Sequence, residues 1–180
     1  MIVPYMFFTG TADRGILNKN IRGTIMTALE RLKDFIVEAK SNTYVGGGMP
    51  RPSSRPGSRD IGYERDNWRY LDSYFGGTDF AGQETVWRDG EPAWAMNYFG
   101  RITRHDLING EKAGLIIKAA LQAMYRDKRH FLGGMEFRHA HGYYIDNSRG
   151  DIGHFSGHEV IFVDGEEAYE LDYRGGLIKR

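Results

Sequence analysis

The sequence predicts an α+β fold in which two α-β-β-β units build one antiparallel sheet, with two amphipathic helices packed on one face of that sheet. Three observations lead to this prediction. Apolar residues recur at helical spacing in two segments, strand-like runs bounded by turn residues follow each segment, and the second half of the chain repeats the first at a constant offset. We therefore expect a single domain over residues 1–180, with a first unit at residues 21–105 and a second at residues 106–180.

The first unit follows residues 1–20, which we expect to form an edge strand or a loosely held terminus. A helix is predicted over residues 24–40, because its apolar side chains recur every three or four residues. Residues 42–59 contain four glycines and three prolines, a composition that sustains neither a helix nor a central strand. This segment is predicted to be a loop.

The remaining elements follow the same order in both units. A second helix is predicted over residues 110–126, and the dipeptide Asp89-Gly90 is typical of a two-residue type I′ hairpin turn. Aromatic and β-branched residues predict three strands in each unit, at residues 68–75, 82–88 and 92–99 and at residues 135–146, 158–163 and 168–173.

The two halves of the chain also resemble each other residue by residue. When 75 is subtracted from the numbers of the second half, nine of the 21 positions from 80 to 100 are identical without a gap. The identities include Glu84 with Glu159 and both Asp-Gly turns. We interpret this similarity as an internal duplication, with convergence between aromatic-rich hairpins as the alternative.

Composition argues against several classes of protein. The 180 residues carry 24 basic and 24 acidic side chains, whereas nucleic-acid binding needs an excess of Lys and Arg on one surface. The absence of cysteine excludes disulfides and thiolate metal sites. The apolar run Ile2 to Phe8 is far shorter than the roughly 20 residues of a membrane-spanning helix. We therefore expect a cytoplasmic protein with no nucleic-acid partner and no membrane partner.

Three runs of the sequence resemble an uncharacterised bacterial family, a domain of unknown function: Arg51–Arg59, Phe80–Tyr98 and Phe155–Glu159. The resemblance extends from about residue 21 to the C-terminus. Members of that family occur alone or behind a helix-turn-helix DNA-binding domain. The resemblance implies a bacterial, intracellular protein and implies no activity. Because a single helix precedes the loop, we expect no DNA-reading module in this chain.

The hairpin turn predicts which side chains share a face of the sheet. With Asp89-Gly90 as the turn, Glu84 and Asn97 lie on one face among small residues, and Glu159 and Asp172 lie on the matching face of the second unit. The opposite, apolar face is then predicted to carry Thr85, Trp87, Trp94, Met96 and Tyr98, and His158, Val160, Phe162, Tyr169, Leu171 and Tyr173 in the second unit. The acidic face is either a solvated sheet surface or a concave ligand site with Glu84 and Glu159 as polar anchors.

The arginines of the predicted loop form a second candidate site. Arg51, Arg55 and Arg59 lie in a segment rich in glycine, which suits forked hydrogen bonds to a phosphate or a carboxylate. The alternative is a solvated loop in which the arginines maintain solubility. No glycine-rich nucleotide-binding pattern accompanies them.

Histidines form a third candidate site, because five of the six lie between His130 and His158. A metal ion could be held by His139, His141, His154 and His158. His139 and His141 would share one side of a strand, and Glu136 could act as a ligand or a base. The alternative is a set of exposed or aromatic-packed histidines without a metal.

Three functions remain open at the level of sequence. The preferred interpretation is a non-catalytic domain that binds a small-molecule effector without a cofactor. The second is a metal-assisted enzyme that uses the His130–His158 cluster. The third is a protein-interaction module with exposed aromatic residues such as Trp68 or Tyr70. A homodimer is compatible with each of them.

Overall fold

The computed structural model describes residues 26–126 and 132–179, as two helices, one π-helical turn and nine strands. The helices are α1 (Ala28–Lys40), followed by the π-helical turn Ser41–Val45, and α2 (Gly110–Arg126). The strands are β1 (Met49–Arg51), β2 (Arg59–Arg65), β3 (Trp68–Gly76), β4 (Phe80–Arg88), β5 (Glu91–Ile102), β6 (Met135–His139), β7 (Gly142–Asp151), β8 (His154–Val163) and β9 (Glu166–Leu177). No helix in this part of the chain is long and apolar enough to cross a membrane. The predicted N-terminal segment at residues 1–20 and His130 lie outside the described residues.

The chain divides into two compact parts, Met1–Leu32 and Lys33–Arg180. In the first part, Thr27 caps the start of α1: its hydroxyl accepts the Glu30 amide at 3.2 Å, and Glu30 accepts the Thr27 amide at 2.6 Å. The helix therefore begins at Ala28 rather than at residue 24 as predicted. The sheet, α2 and the rest of α1 lie in the second part, to which the following description applies.

The nine strands form a single antiparallel sheet with the order β1-β2-β3-β4-β5-β9-β8-β7-β6. The predicted α+β class is confirmed, but the α-β-β-β composition of the units is wrong. Each helix precedes a four-stranded meander, β2–β5 or β6–β9, and β1 extends the first. The predicted strand at residues 135–146 is a hairpin whose turn at Ala140 and His141 carries no glycine or asparagine signal.

The predicted Asp89-Gly90 turn is present, because φ is +54° at Asp89 and +82° at Gly90. Asp164 and Gly165 adopt φ angles of +51° and +85° in the second meander. In each hairpin a β-bulge lies just beyond the two residue pairs next to the turn. The register shifts between Val86 and Trp87 in β4, and between Ile161 and Phe162 in β8. Each bulge leaves one alanine of the following strand unopposed, Ala93 and Ala168.

Because of the bulges, the predicted assignment of side chains to the two faces of the sheet is wrong. Beyond the bulge Glu84 opposes Met96 and shares its face, whereas Asn97 opposes Gln83 on the other face. In the second meander Glu159 opposes Leu171, and His158 opposes Asp172. The face predicted to be apolar is therefore mixed: Trp94, Met96, Tyr98, Tyr169, Leu171 and Tyr173 remain together, whereas Thr85, Trp87, His158, Val160 and Phe162 lie on the opposite face.

We call the face that carries Trp94 the inner face and the opposite face the outer face. The inner face holds the core, in which Trp94 is fully buried. Phe35 of α1 stacks on Trp68 with ring centroids 5.4 Å apart. Because Trp68 and Tyr70 retain only 8% and 2% of their exposure, the prediction that they form an exposed interaction surface is wrong.

Candidate functional site

A cavity of about 290 Å³ lies between the inner face of the sheet and α2. Helix α2 contributes Gly114, Ile117 and Tyr125 to its wall. Four acidic residues from four different strands line it, namely Asp72, Glu84, Asp146 and Glu159. Such a concentration of carboxylates is unusual for a wall that is otherwise aromatic and apolar, because burying charge is costly.

The strand register brings the carboxylates together in two pairs. Asp72 lies directly opposite Glu84 in neighbouring strands, and Asp146 lies directly opposite Glu159. Side chains in such positions have Cβ atoms about 5 Å apart, where two like charges repel each other. Each pair therefore needs a compensating proton or cation.

A tyrosine completes each pair. The Tyr98 hydroxyl donates a hydrogen bond to Asp72 Oδ1 at 2.7 Å, and the Tyr173 hydroxyl donates to Asp146 Oδ1 at 2.8 Å. Tyr98 and Tyr173 also oppose each other at the junction of β5 and β9. We call Asp72, Glu84 and Tyr98 the first triad, and Asp146, Glu159 and Tyr173 the second triad.

Glycines leave the space that the two tyrosine rings occupy. Gly82 opposes Tyr98 and Gly157 opposes Tyr173, and a side chain at either glycine would overlap the facing ring. The rings lie across the neighbouring strand because those positions carry no Cβ. Their hydroxyls thereby reach the aspartates one strand further along the sheet.

Replacing Gly157 with alanine is expected to displace the Tyr173 ring from Asp146. Overpacking of this kind lowers the free energy of unfolding by about 1–3 kcal/mol, which urea denaturation would measure. Gly77→Ala is the control, because a Cβ at that position meets no other atom within 4 Å. Equal stability of the Gly157→Ala protein and the wild type would contradict the described position of the Tyr173 ring.

The first triad holds a lysine. Lys40, the last residue of α1, places its Nζ 2.6 Å from Glu84 Oε1, and both side chains are less than one tenth exposed. The second carboxylate oxygen, Glu84 Oε2, is buried and accepts no hydrogen bond of ordinary geometry among the described residues, although the buried Tyr70 hydroxyl lies near enough to interact with this carboxylate. Buried acceptors are normally satisfied, so this oxygen requires an explanation.

Burial raises the pKa values of three of the four acids. Burial, followed by the charge of Glu84, raises the pKa of Asp72 to about 7 against the hydrogen bond from Tyr98. Burial raises the pKa of Asp146 to about 6, against the hydrogen bond from Tyr173. Burial, followed by the charge of Asp146, raises the pKa of Glu159 to about 8. These three acids therefore titrate near neutral pH.

Glu159 differs from Glu84 in its surroundings. None of the ion pairs within the described residues includes Glu159 or Asp146. Glu159 is only half-buried by surface area, although it lies deep among other protein atoms, so its remaining surface faces the cavity. The Tyr144 hydroxyl lies near enough to lower the pKa of Glu159, but it makes no hydrogen bond of ordinary geometry and is fully buried.

The structure brings together two of the four residues predicted for the acidic face, the two predicted anchors. Glu84 and Glu159 line the same cavity, as the concave-site hypothesis required, but on the inner face. Asn97 and Asp172 line a shallow groove on the outer face, where Asp172 lies 2.8 Å from His158 Nδ1. Sequence reasoning missed Lys40, because its contact with Glu84 depends on how α1 meets the sheet.

It also missed both aspartates. Asp72 and Asp146 each interrupt an aromatic strand, and an acid in such a run is the signal that could have identified them.

The three predicted arginines do not converge. Arg51 pairs with Glu64 at 3.2 Å, and Arg59 is exposed at the mouth of the cavity. Arg55 donates to the carbonyl oxygen of Ser73 at 2.6 Å and lies over the Phe75 ring. Arg55 therefore ties the loop between β1 and β2 to β3, whereas residues 52–57 remain exposed to solvent, and the three arginines form no common anion site.

An acidic residue fixes this loop. Asp60 accepts hydrogen bonds from the Ser54 amide and the Ser73 hydroxyl at 2.8 and 2.7 Å. Burial raises the pKa of Asp60, but these bonds and one from Ser58 more than offset it and lower the pKa to about 2. Asp60 is thus ionised at every physiological pH.

The predicted histidine ligands do not meet in one place either. His139 and His141 lie at the β6–β7 turn with ring centroids 5.2 Å apart. His154 lies at the other end of β7, where it opposes Asp151 in the strand register. Nine residues of extended strand separate the two ends by about 30 Å. Within residues 26–126 and 132–179, no three His, Asp or Glu side chains are arranged to hold a metal ion.

A comparison with known families supports the resemblance found in the sequence. The model of a family described as a domain of unknown function (DUF5680) matches residues 72–178. The match begins at Asp72 and contains both triads. No curated protein and no solved structure matches the chain significantly.

Proposed function

The chain belongs to the DUF5680 family of domains of unknown function, and from its cavity we propose that it binds a small organic molecule there. The observation that carries this proposal is the combination of a partly open cavity with buried polar atoms that make no hydrogen bond of ordinary geometry. Glu84 Oε2 and the Tyr144 hydroxyl are both buried, neither makes a hydrogen bond of ordinary geometry in the described residues, and both residues line the cavity. A bound molecule would satisfy such atoms.

The size and wall of the cavity suit a metabolite. A volume of about 290 Å³ lies just below the usual range of small-molecule sites, about 300–1,000 Å³, and suits a small metabolite. Aromatic residues are the largest group in the wall and come mainly from the two meanders, and the acids provide a few fixed polar groups. This is the usual composition of a ligand site, in which apolar area contributes affinity and polar groups determine orientation.

Glycines line part of the cavity. Gly76 and Gly77 lie at the β3–β4 turn, and Gly110 and Gly114 lie in the first half of α2. A Cβ on Gly114 would meet no other atom within 4 Å. A larger side chain at this helical position would therefore extend into open space.

Filling this space tests the proposal. We expect Gly114→Trp to abolish the thermal stabilisation that ligands give the wild type in a screen of small amines, alcohols and carboxylic acids. Gly114→Ala is the matched control, and we expect it to keep ligand binding and to gain up to about 1 kcal/mol from its better helix propensity. If no compound stabilises the wild type, or if Gly114→Trp binds every hit unchanged, the cavity is not the site.

We also infer that the two meanders arose by duplication. Positions 75 apart share the Asp-Gly turns and the bulged alanines Ala93 and Ala168. Their carbonyl oxygens accept hydrogen bonds from equivalent amides: Ile178 donates to Ala93 and Thr103 donates to Ala168, both at 2.9 Å. Two related half-sites are the expected consequence for the cavity.

The family resemblance adds a context to this proposal. We propose that the domain acts in the bacterial cytoplasm as a non-catalytic effector-binding domain that needs no cofactor, nucleic acid or membrane partner. Relatives fused to helix-turn-helix domains would use the same cavity to sense a metabolite. Size-exclusion chromatography with light scattering would show whether the working form is a monomer or a homodimer.

A further inference from the structure

The two triads have the same construction but a different content. In both, an aspartate accepts a hydrogen bond from a tyrosine hydroxyl and lies opposite a glutamate in the neighbouring strand. The first triad also contains the ammonium group of Lys40, bound to Glu84. Within the described residues no cation lies at ion-pair distance from the acids of the second triad, although the charge of Lys40 lowers the pKa values of both at longer range.

We propose that the second triad binds a primary ammonium group of the ligand, in the way that the first triad binds Lys40. This inference rests on the proposed function and specifies its chemistry: the ligand is a primary alkylamine with an apolar or aromatic body. Glu159 is the anion that receives the ammonium group. The tyrosine-rich wall then surrounds the body of the ligand.

A second observation, independent of the acids, points to the same place. Tyr144 is fully buried and lines the cavity, and its hydroxyl makes no hydrogen bond of ordinary geometry in the described residues. This hydroxyl lies beside Glu159. An ammonium group has three N–H donors, so one group can donate both to Glu159 and to the Tyr144 oxygen.

A metal ion or an anionic ligand would fit this site less well. A metal ion needs several convergent oxygen or nitrogen ligands, and no such group of three exists in the described residues. An anionic ligand would meet four acids and only the already paired Lys40 in the depth of the cavity, with Arg59 at its mouth. An organic ammonium ion would neutralise the negative charge of the Asp146–Glu159 pair without displacing Lys40.

Binding of an ammonium ion to this site is coupled to a proton. Glu159 faces Asp146 and Tyr144 from β7, Glu84 from β4, Lys40 from the end of α1, Tyr125 from α2 and Tyr173 from β9. Its raised pKa, about 8, means that it holds a proton in the unliganded protein at pH 7. The ammonium ion must displace that proton, so affinity is expected to rise as pH increases from 6 to 8.

The experiment compares primary arylalkylamines, such as 2-phenylethylamine and 4-phenylbutylamine, with the alcohols of the same carbon skeleton. Isothermal titration calorimetry is done in two buffers with different ionisation enthalpies, which reports the protons released. We expect the amines to bind the wild type more tightly than the alcohols and to release protons at pH 7. Glu159→Gln should weaken amine binding by about 10- to 150-fold and abolish the proton release, with little effect on the alcohols.

Two further variants keep the result interpretable. Glu167→Gln is the matched control, because it removes the same charge from an exposed position of the neighbouring strand, and it should bind like the wild type. Asp146→Asn is the second test variant, and it should also reduce proton release.

The outcomes separate the two proposals. If the alcohols bind as tightly as the amines, or if Glu159→Gln binds amines like the wild type, the ammonium site is wrong and the ligand cavity stands. If no compound of either series binds the wild type while other compounds do, the ammonium site is again wrong. If no compound of any class binds, both the ammonium site and the proposed function are wrong.

Discussion

Replacing Trp94 with alanine is expected to lower the free energy of unfolding by about 3–5 kcal/mol. The indole is fully buried, stacks on Phe155 with centroids 5.7 Å apart, and donates its Nε1 hydrogen to the Ile152 carbonyl oxygen at 3.2 Å. Alanine would leave a cavity in the core and an unsatisfied carbonyl group. Urea denaturation followed by circular dichroism would measure the loss.

Trp87 provides the control for this experiment. It opposes Arg69 on the outer face, and the Arg69 guanidinium lies over its ring at 5.4 Å from the centroid. Trp87→Ala should therefore cost much less than Trp94→Ala. Equal losses would mean that both tryptophans lie in the core, as the uninterrupted hairpin register predicted, and would contradict the bulge.

Removing Lys40 is expected to have an effect of similar size. Lys40→Met would keep most of the apolar stem and leave Glu84 buried without its cation, at a cost of about 3–5 kcal/mol. The double variant Lys40→Met/Glu84→Gln removes both charges, so it should recover most of the lost stability. Urea denaturation of the wild type, both single variants and the double variant gives the coupling energy between the two side chains.

Glu38 offers a matched control. It binds Tyr63 and Arg65 near the surface rather than a partner in the cavity, so Glu38→Gln should cost about 1 kcal/mol or less. A Lys40→Met protein that is as stable as Glu38→Gln would show that the Glu84 ion pair contributes little. A double variant less stable than Lys40→Met would contradict the explanation by an uncompensated buried charge.

The hairpins show how far local signals determine the fold. The Asp89-Gly90 turn and the helix over residues 110–126 were predicted correctly, because turn dihedrals and helical periodicity depend on neighbouring residues. The bulge at Ala93 has no such local signal, since alanine is compatible with regular strand. One unopposed residue exchanges the faces of a whole strand, which is why Glu84 was placed opposite to its actual side.

The candidate site was only partly predictable for a related reason. Glu84 and Glu159 were predicted to lie on the same face because they occupy equivalent positions of two similar hairpins. The missed bulge exchanges the faces in both hairpins, so the two glutamates still lie on one face and line the same cavity. The pairing of Lys40 with Glu84 joins residues 44 positions apart, and it depends on how α1 meets the sheet. Such a contact follows from tertiary packing, which no spacing in the sequence encodes.

The junction of β5 with β9 has a consequence for how the chain folds. Every other neighbouring pair in the sheet joins strands that are consecutive along the chain, and these pairs require only short loops to close. The β5–β9 pair joins Tyr98 to Tyr173, so it cannot form until both meanders have brought their last strands together. Closing so long a segment costs more entropy and is slower than forming a hairpin. The cavity, which receives acids from both sides of this junction, therefore forms late, after each meander has acquired its own local order.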